Sequence, residues 1–416
     1  MFVRVPTPFF AIVAALVVIG SVSASHSAEP LTLAAAVDRT LRSNPDLAVL
    51  PARKLEQNAR IELAGLRPQL AIDAQIENAF GSGAYRDLNG TEASLSLSQV
   101  IELGDQRRKR LAAARDGMDT LELAQTVAQL DVVAETTRRY IELASEEQQR
   151  TLAAQWLAAS QRKTSEVERR VKAARDPEVE LVRAQIDLSR AELSVRVAAD
   201  RVRIAQRKLA AMWGATEPDF ERIDVDLFNL PNIEALQHRM EKIASSADFL
   251  LFATEIRQRE AEMALAKAQA RASITVSAGI RRLEATGDQA FIAGFSMPLA
   301  SARYAKPRIA EAQARRDGLE RERDAALIKA RASLFEVAAR LTHAVEEAQT
   351  LRDDLLPRME TAVKATEYAW QRGRYGYIEL TEAQREQLAL RLALITAATN
   401  AHLYRIEIER LTGDSP

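Results

Sequence analysis

The sequence predicts a mainly α-helical protein with a small β part, in which long helical coiled coils run straight into membrane-spanning β-strands. Three observations lead there. An alternating stretch, SLSLSQVI (Ser94–Ile101), passes through Gly104 into a charged, Ala/Leu-rich run with no proline before Pro177. The same order of elements recurs about 200 residues later, a period far longer than a solenoid repeat. The alternating segments number four, too few to close a barrel within one chain.

Composition supports the helices. The chain has 416 residues and a net charge of -1, with 5% aromatics. Ala, Leu, Glu, Arg and Gln dominate, the residues that lose least entropy in a helix. Balanced charge argues against a nucleic-acid partner. With no cysteine, disulfides, zinc thiolates and thiol catalysis are excluded. The N-terminus reads as an export signal over residues 1–24. Arg4 is the positive start, Phe9–Gly20 the apolar core and Val22-Ser23-Ala24 a small-residue cleavage pattern, with cleavage after Ala24 or Ala28. The absence of cysteine there rules out an N-terminal lipid anchor on this sequence. No later stretch has the length and apolarity of a transmembrane helix.

The first repeat is expected over residues 31–214. It opens with a helix over 31–43, capped by Thr32, and a second over Pro45–Leu66. Strands follow at 69–80 and 91–101, separated by the glycine-rich GSGAYRDLNG. The long helix runs to about Ala173. Arg175-Asp176-Pro177 breaks it, placing a hairpin tip near 174–178, and a helix returns to Met212. Residues 215–231 form a linker containing Pro218 and Pro231. The second repeat, 232–413, has helices over 232–244 and 247–270 and strands at 272–283 and 290–299, closed by Pro298. Its long helix runs to about Arg372, turns at a tip near 373–377, and returns to about Leu411.

A helix of about 70 residues extends roughly 105 Å, thicker than any globular core. Leu334, Val337, Leu341, Val345, Ala348, Leu351 and Leu355 recur at three- and four-residue steps, a coiled-coil seam that Leu327 extends by a heptad. Each strand has one apolar face and one small or polar face and is about ten residues long, the length that crosses a bilayer when tilted. Open strand edges in lipid leave N–H and C=O groups unpaired at several kcal/mol each. Several chains must therefore complete one wall, and three would supply twelve strands.

On LTLAAAVDRTLRSNPDLAVL (Leu31–Leu50) and FSMPLASARYAKPRIAEAQA (Phe295–Ala314) the chain resembles the TolC-like outer-membrane efflux channels. SQVIELGDQRRKR (Ser98–Arg110) is similar to the CzcC-type subgroup, partners of heavy-metal resistance-nodulation-division pumps. Asp105 stands where that subgroup leads one to expect glycine. The resemblance implies a homotrimer, a twelve-stranded barrel in the outer membrane and a periplasmic helical tunnel. It also implies two partners, a periplasmic adaptor and an inner-membrane transporter of that class. The function so implied is a passive exit duct, for divalent heavy-metal cations. Drug efflux or type I protein secretion through the same duct is the nearest alternative. An exported trimeric scaffold without a pore is the alternative of another class.

Candidate sites follow. Arg175, Asp176 and Pro177 at one tip, and Arg374, Tyr375 and Gly376 at the other, are the docking contacts the resemblance implies for the adaptor; both segments are also simply turns. Glu379 and Glu382 lie one helical turn apart. In a trimer they would form carboxylate rings that gate the narrow end or select cations, although the same spacing describes a solvated face, and Arg183 matches Glu382 in the first repeat. Arg107, Arg108, Lys109 and Arg110 would mark the membrane rim, near outer-membrane lipid phosphates. Phe80, Tyr85, Phe291 and Phe295 are candidates for interfacial aromatic belts. The scattered histidines His26, His238, His343 and His402 form no metal-ligand spacing, and no phosphate loop or nucleophile elbow is present. An enzyme or a bound cofactor is not expected.

Overall fold

The computed structural model describes residues 30–233, 240–299 and 301–413. The export-signal reading of residues 1–24 lies outside them, as do positions 234–239 of the helix expected over 232–244.

Helix α1 is Leu33–Ser43, and the Thr32 hydroxyl accepts its Ala35 N–H at 3.2 Å. Helix α2 is Leu50–Gly65, five residues later at its start than Pro45 suggested. Asn44 causes the delay. Its side-chain oxygen accepts the N–H groups of Asp46 and Leu47 at 2.9 and 3.2 Å, a local turn that competes with the helix. Strand β1 is Leu70–Glu77 and β2 is Glu92–Ile101. Helix α3, Gln106–Lys172, has 67 residues and so spans about 100 Å. It turns back as α4, Glu178–Ala210. After the linker come α5 (Ala247–Ala268), β3 (Ile274–Leu283) and β4 (Gln289–Ser296).

The second long helix is not one regular rod. Helix α6, Ser301–Thr350, ends in a π turn over Leu351–Leu355, and α7 continues as Leu356–Gln371 before α8, Tyr377–Thr412. A π turn thus stands inside the long helix expected to run to about Arg372, and Pro357 is the reason. It has no N–H to return to the preceding turn, and the Leu356 N–H bonds the Leu351 carbonyl instead.

All four strands form one antiparallel sheet in the order β1-β2-β3-β4. The register aligns Ile72 with Leu97, Leu97 with Ala278, and Ala278 with Ala293. One face therefore collects Leu70, Ile72, Ile76, Leu95, Leu97, Val276, Ile280, Phe291 and Phe295. The other collects Asp73, Gln75, Glu77, Glu92, Ser94, Ser96, Ser98, Ser277 and Arg281. Among the described residues nothing covers the apolar face: Ile72 is 75% exposed and Phe291 74%. Each outer strand, β1 and β4, pairs on one side only. Gly279 is required where β3 crosses β2, because a Cβ there would collide with the Leu95 carbonyl and Ser96.

The helical part has its main core midway along its length, around Leu143, Leu209, Ala210, Leu227, Ala398 and Ile406. Tyr140 ties the linker to it. Its hydroxyl lies 2.7 Å from the Leu31 carbonyl oxygen and 2.8 Å from that of Asp224, and it accepts the Asp224 N–H at 3.1 Å. Burial pushes the Tyr140 hydroxyl up to about 12. On the opposite side of the linker, His402 Nε2 meets the Leu227 carbonyl at 3.0 Å.

Candidate functional site at the joined hairpin tips

The two helix reversals close by the same backbone device. Arg175 N–H bonds the Arg170 carbonyl and Arg374 N–H bonds that of Ala369, each at 2.9 Å. The residue between takes a left-handed conformation, Ala174 at φ 53° and Gly373 at φ 73°. This is the glycine position of a Schellman helix end, filled once by an alanine that pays for its Cβ in strain.

The reversals are joined. Arg170 grips Asp176 with two hydrogen bonds of 2.6 and 2.8 Å and reaches the Gln371 carbonyl of the other hairpin at 3.3 Å. Its guanidinium also lies 4.6 Å from the ring centroid of Trp370, a side chain that is 1% exposed. Glu180, near the start of α4, accepts the Tyr377 N–H at the start of α8; burial raises its carboxyl pKa, with Asp176 adding to the rise. Val167, Ala184, Trp370, Tyr377 and Leu380 pack into one apolar cluster.

One turn further in stands a buried polar network. Asp187, 8% exposed, accepts from the Tyr377 hydroxyl at 3.2 Å and from Arg385 at 2.6 Å. Lys163, also 8% exposed, places its ammonium 5.6 Å from the ring centroids of both Trp156 and Tyr377. Burial lowers the Lys163 pKa to about 8 and Asp187 works against that shift. Burial, then Asp187, pushes Tyr377 up to about 12.

The residues singled out from sequence separate here. Arg175, Arg374 and Tyr375 are exposed at the ends. Asp176 is consumed by Arg170, while Pro177 and Gly376 precede the first residues of α4 and α8. Glu379 folds back on its own helix start, with a carboxylate oxygen 3.0 Å from where a Cβ on Gly376 would stand. Glu382 lines a groove of about 340 Å³ together with Arg183, Arg190 and Arg385, of which Arg190 and Arg385 are turned to Asp187 at 3.8 and 2.6 Å. The two glutamates thus have different surroundings. Lys163, Arg170, Glu180 and Asp187 were missed. Their signal was a charged residue at a seam position of a coiled coil, as where Lys163 stands in line with Ser160 and Val167.

At the other end of α3, Arg110 is spent locally. It bonds Glu102 at 2.6 Å and the Ala64 and Leu66 carbonyls at 3.0 and 3.1 Å. Arg108 pairs with Asp105 at 2.5 Å. Lys109 is half-buried and Arg107 exposed. Gly104 and Asp105 are both left-handed, at φ 76° and 60°, and a Cβ on Gly104 would stand 2.6 Å from Arg271 Cδ.

Residues 36–215 match the family model described as outer membrane efflux protein. That match covers nearly all of the span expected for the first repeat and the start of the linker. Beyond that match, the chain is 25% identical over 393 residues to the cobalt-zinc-cadmium resistance protein CzcC of Cupriavidus metallidurans, covering 93% of this chain and 91% of that one. Among solved structures, CusC superposes with a TM-score of 0.74 at 17% identity, covering 92% of both chains. The Neisseria gonorrhoeae MtrE outer membrane channel, in its open state, superposes with a TM-score of 0.69 at 18% identity, covering 92% of this chain and 89% of that one. At these identities the superpositions show a shared fold. The family match over residues 36–215 and the shared fold are both features found in outer-membrane efflux channels.

Proposed function

We propose that three copies of this chain form a passive exit duct in the outer membrane, with a twelve-stranded barrel above a periplasmic helical tunnel, and that the duct carries divalent heavy-metal cations. Two divergent repeats, 31–214 and 232–413, would each supply a strand pair and a helical hairpin. The single observation that carries the reading is the sheet: four strands of 8 to 10 residues, one face apolar except for Gln99, Arg282 and Gln289 and uncovered, one largely polar face, and two unpaired edges. In water such a face would aggregate; in lipid such edges must be paired by sister copies.

The cation reading draws on two supports. The similar CzcC protein is a cobalt-zinc-cadmium resistance protein by name. The polar sheet face carries Asp73, Glu77 and Glu92 against Arg281 alone, which sits 2.8 Å from Glu92 and 3.4 Å from Glu77; the surplus of carboxylates favours cations in a lumen. Energy would come from an inner-membrane transporter coupled through a periplasmic adaptor. Arg175, Arg374 and Tyr375 are the exposed tip contacts for that adaptor. The Tyr377–Asp187–Arg385 network, with Glu379 and Glu382 beside it, would hold the tunnel's narrow end shut.

Planar-bilayer recording of the purified full chain tests the duct. Discrete conductance steps with cation preference are expected, more frequent in an Asp187→Ala/Arg385→Ala variant whose narrow end is released, and no steps from either preparation would reject the duct in favour of a poreless scaffold. Deleting the gene and measuring tolerance to cobalt, zinc and cadmium tests the cargo. Unchanged metal tolerance with lost tolerance to organic drugs would move the cargo to drugs.

A further inference from the structure

Where β1 and β2 meet the start of α3, the surface holds a groove of about 720 Å³ whose lining includes Arg67, Arg107, Arg108, Glu102, Asp105, Ile101 and Leu103. Its charges do not cancel. Glu102 is taken by Arg110 and Asp105 by Arg108. Arg67 and Arg107, both exposed, have no ion-pair or hydrogen-bond partner among the described residues. Two uncompensated guanidiniums therefore stand on one groove. The groove is also continuous with the apolar sheet face, since Ile101 is the last residue of that face on β2 and, like Leu103, is partly uncovered.

The combination selects a ligand class. Guanidinium forks match phosphate oxygens. Free phosphate has no use for the isoleucine and leucine on the same wall. A molecule with a phosphate joined to hydrocarbon uses both. We propose that this groove is a headgroup site for an anionic phospholipid of the membrane's periplasmic leaflet, with its phosphate between Arg67 and Arg107 and its acyl chains along Ile101 and Leu103. The site rests on the reading that the apolar sheet face stands in lipid. It would set the depth of the barrel in the bilayer, because the phosphate plane is fixed at the strand-to-helix junction.

The test uses the full chain purified in mild detergent, delipidated, and titrated with short-chain phosphatidylglycerol, short-chain phosphatidylcholine and inorganic phosphate, read by native mass spectrometry. Saturable phosphatidylglycerol binding of up to one per chain is expected, well ahead of phosphatidylcholine and not displaced by inorganic phosphate. The Arg67→Gln/Arg107→Gln pair should weaken it roughly tenfold, on the scale of two surface cations facing an anionic lipid. Arg67→Lys/Arg107→Lys should keep most of it, and Arg53→Gln, on exposed α2 surface, should change nothing. Circular dichroism and the oligomer mass confirm that each variant is folded, and either single arginine variant serves if the pair is not. Equal binding by wild type and the glutamine pair would overturn the site. So would displacement by inorganic phosphate, or no saturable binding because a neighbouring copy fills the groove. Conductance of the same preparation separates the two failures: a conducting channel without lipid selectivity sinks this site alone, whereas no conductance sinks the duct.

Discussion

At the residue scale, three side chains stand in places that cost free energy, and each gives a measurable consequence. Ala174 holds a left-handed conformation that L-residues adopt at a cost of about 1–2 kcal/mol. Ala174→Gly should stabilise the tip by about 1 kcal/mol, read as a higher midpoint in thermal unfolding, and an unchanged midpoint would show that the strain is relieved elsewhere. Lys163 is depressed by burial to about 8, below the ordinary lysine range. Between pH 8 and roughly 10.5 the unfolded chain binds more protons at this residue than the folded one. This residue's contribution therefore makes stability rise with pH through that window, and Lys163→Met should flatten the slope. His402 titrates on the acid side. Burial lowers its pKa, the Leu227 carbonyl opposes that shift, Arg405 lowers the pKa further and Asp226 raises it. The neutral ring is the folded form, so its contribution is complete above about pH 6.5 and is lost as pH falls. His402→Gln should reduce acid sensitivity in the same unfolding assay.

Among the elements, the joined tips and the π turn carry the mechanics. Arg170 belongs to one hairpin yet contacts Gln371 and Trp370 of the other. Removing it leaves Asp176 buried without its partner, a loss on the order of 3 kcal/mol. Arg170→Ala should uncouple the hairpins, raising resting conductance and opening the tips to protease while leaving the β content unchanged. Unaltered proteolysis would assign the coupling to the apolar cluster around Trp370 instead. Pro357 makes the π turn, and Pro357→Ala restores an N–H that a regular helix can use. That variant should straighten the α6–α7 junction, seen as slower amide exchange across 351–357. Thr32 and the two reversals were legible in the sequence, because caps and breakers act within a few residues of themselves. The π turn was not: whether a proline such as Pro357 ends a helix or is absorbed depends on what the flanking turns pack against.

For the whole molecule, the decisive property is a sheet with two unlike faces. Placing a charge on the apolar face at mid-strand costs about 2–4 kcal/mol per chain in a bilayer. Ile72→Lys should therefore abolish assembled channel in membranes, while Asp73→Lys, one residue away on the polar face, should assemble and shift ion preference towards anions. Equal assembly of both would mean that the sheet does not face lipid. The alternation that separates Ile72 from Asp73 was visible in the sequence, since strand periodicity is a local property. The joining of both strand pairs into one sheet through β2 and β3 was not visible, because it pairs residues about 180 positions apart.

The sequence by itself determined the helix-rich composition, the four amphipathic strands, the two reversals and the family likeness. All of these follow from short-range pattern, capping and breaking residues. Only the tertiary structure decided which charges are free. Asp176 and Arg110, candidates for outside contacts, are neutralised by Arg170 and Glu102, while Asp187 and Lys163 lie buried between helices. A charge's availability depends on how the chain reverses and packs around it: Arg170 and Glu102 stand only six and eight residues from their partners but reach them across a helix reversal and a strand-to-helix junction, whereas Asp187 meets Arg385 198 positions away.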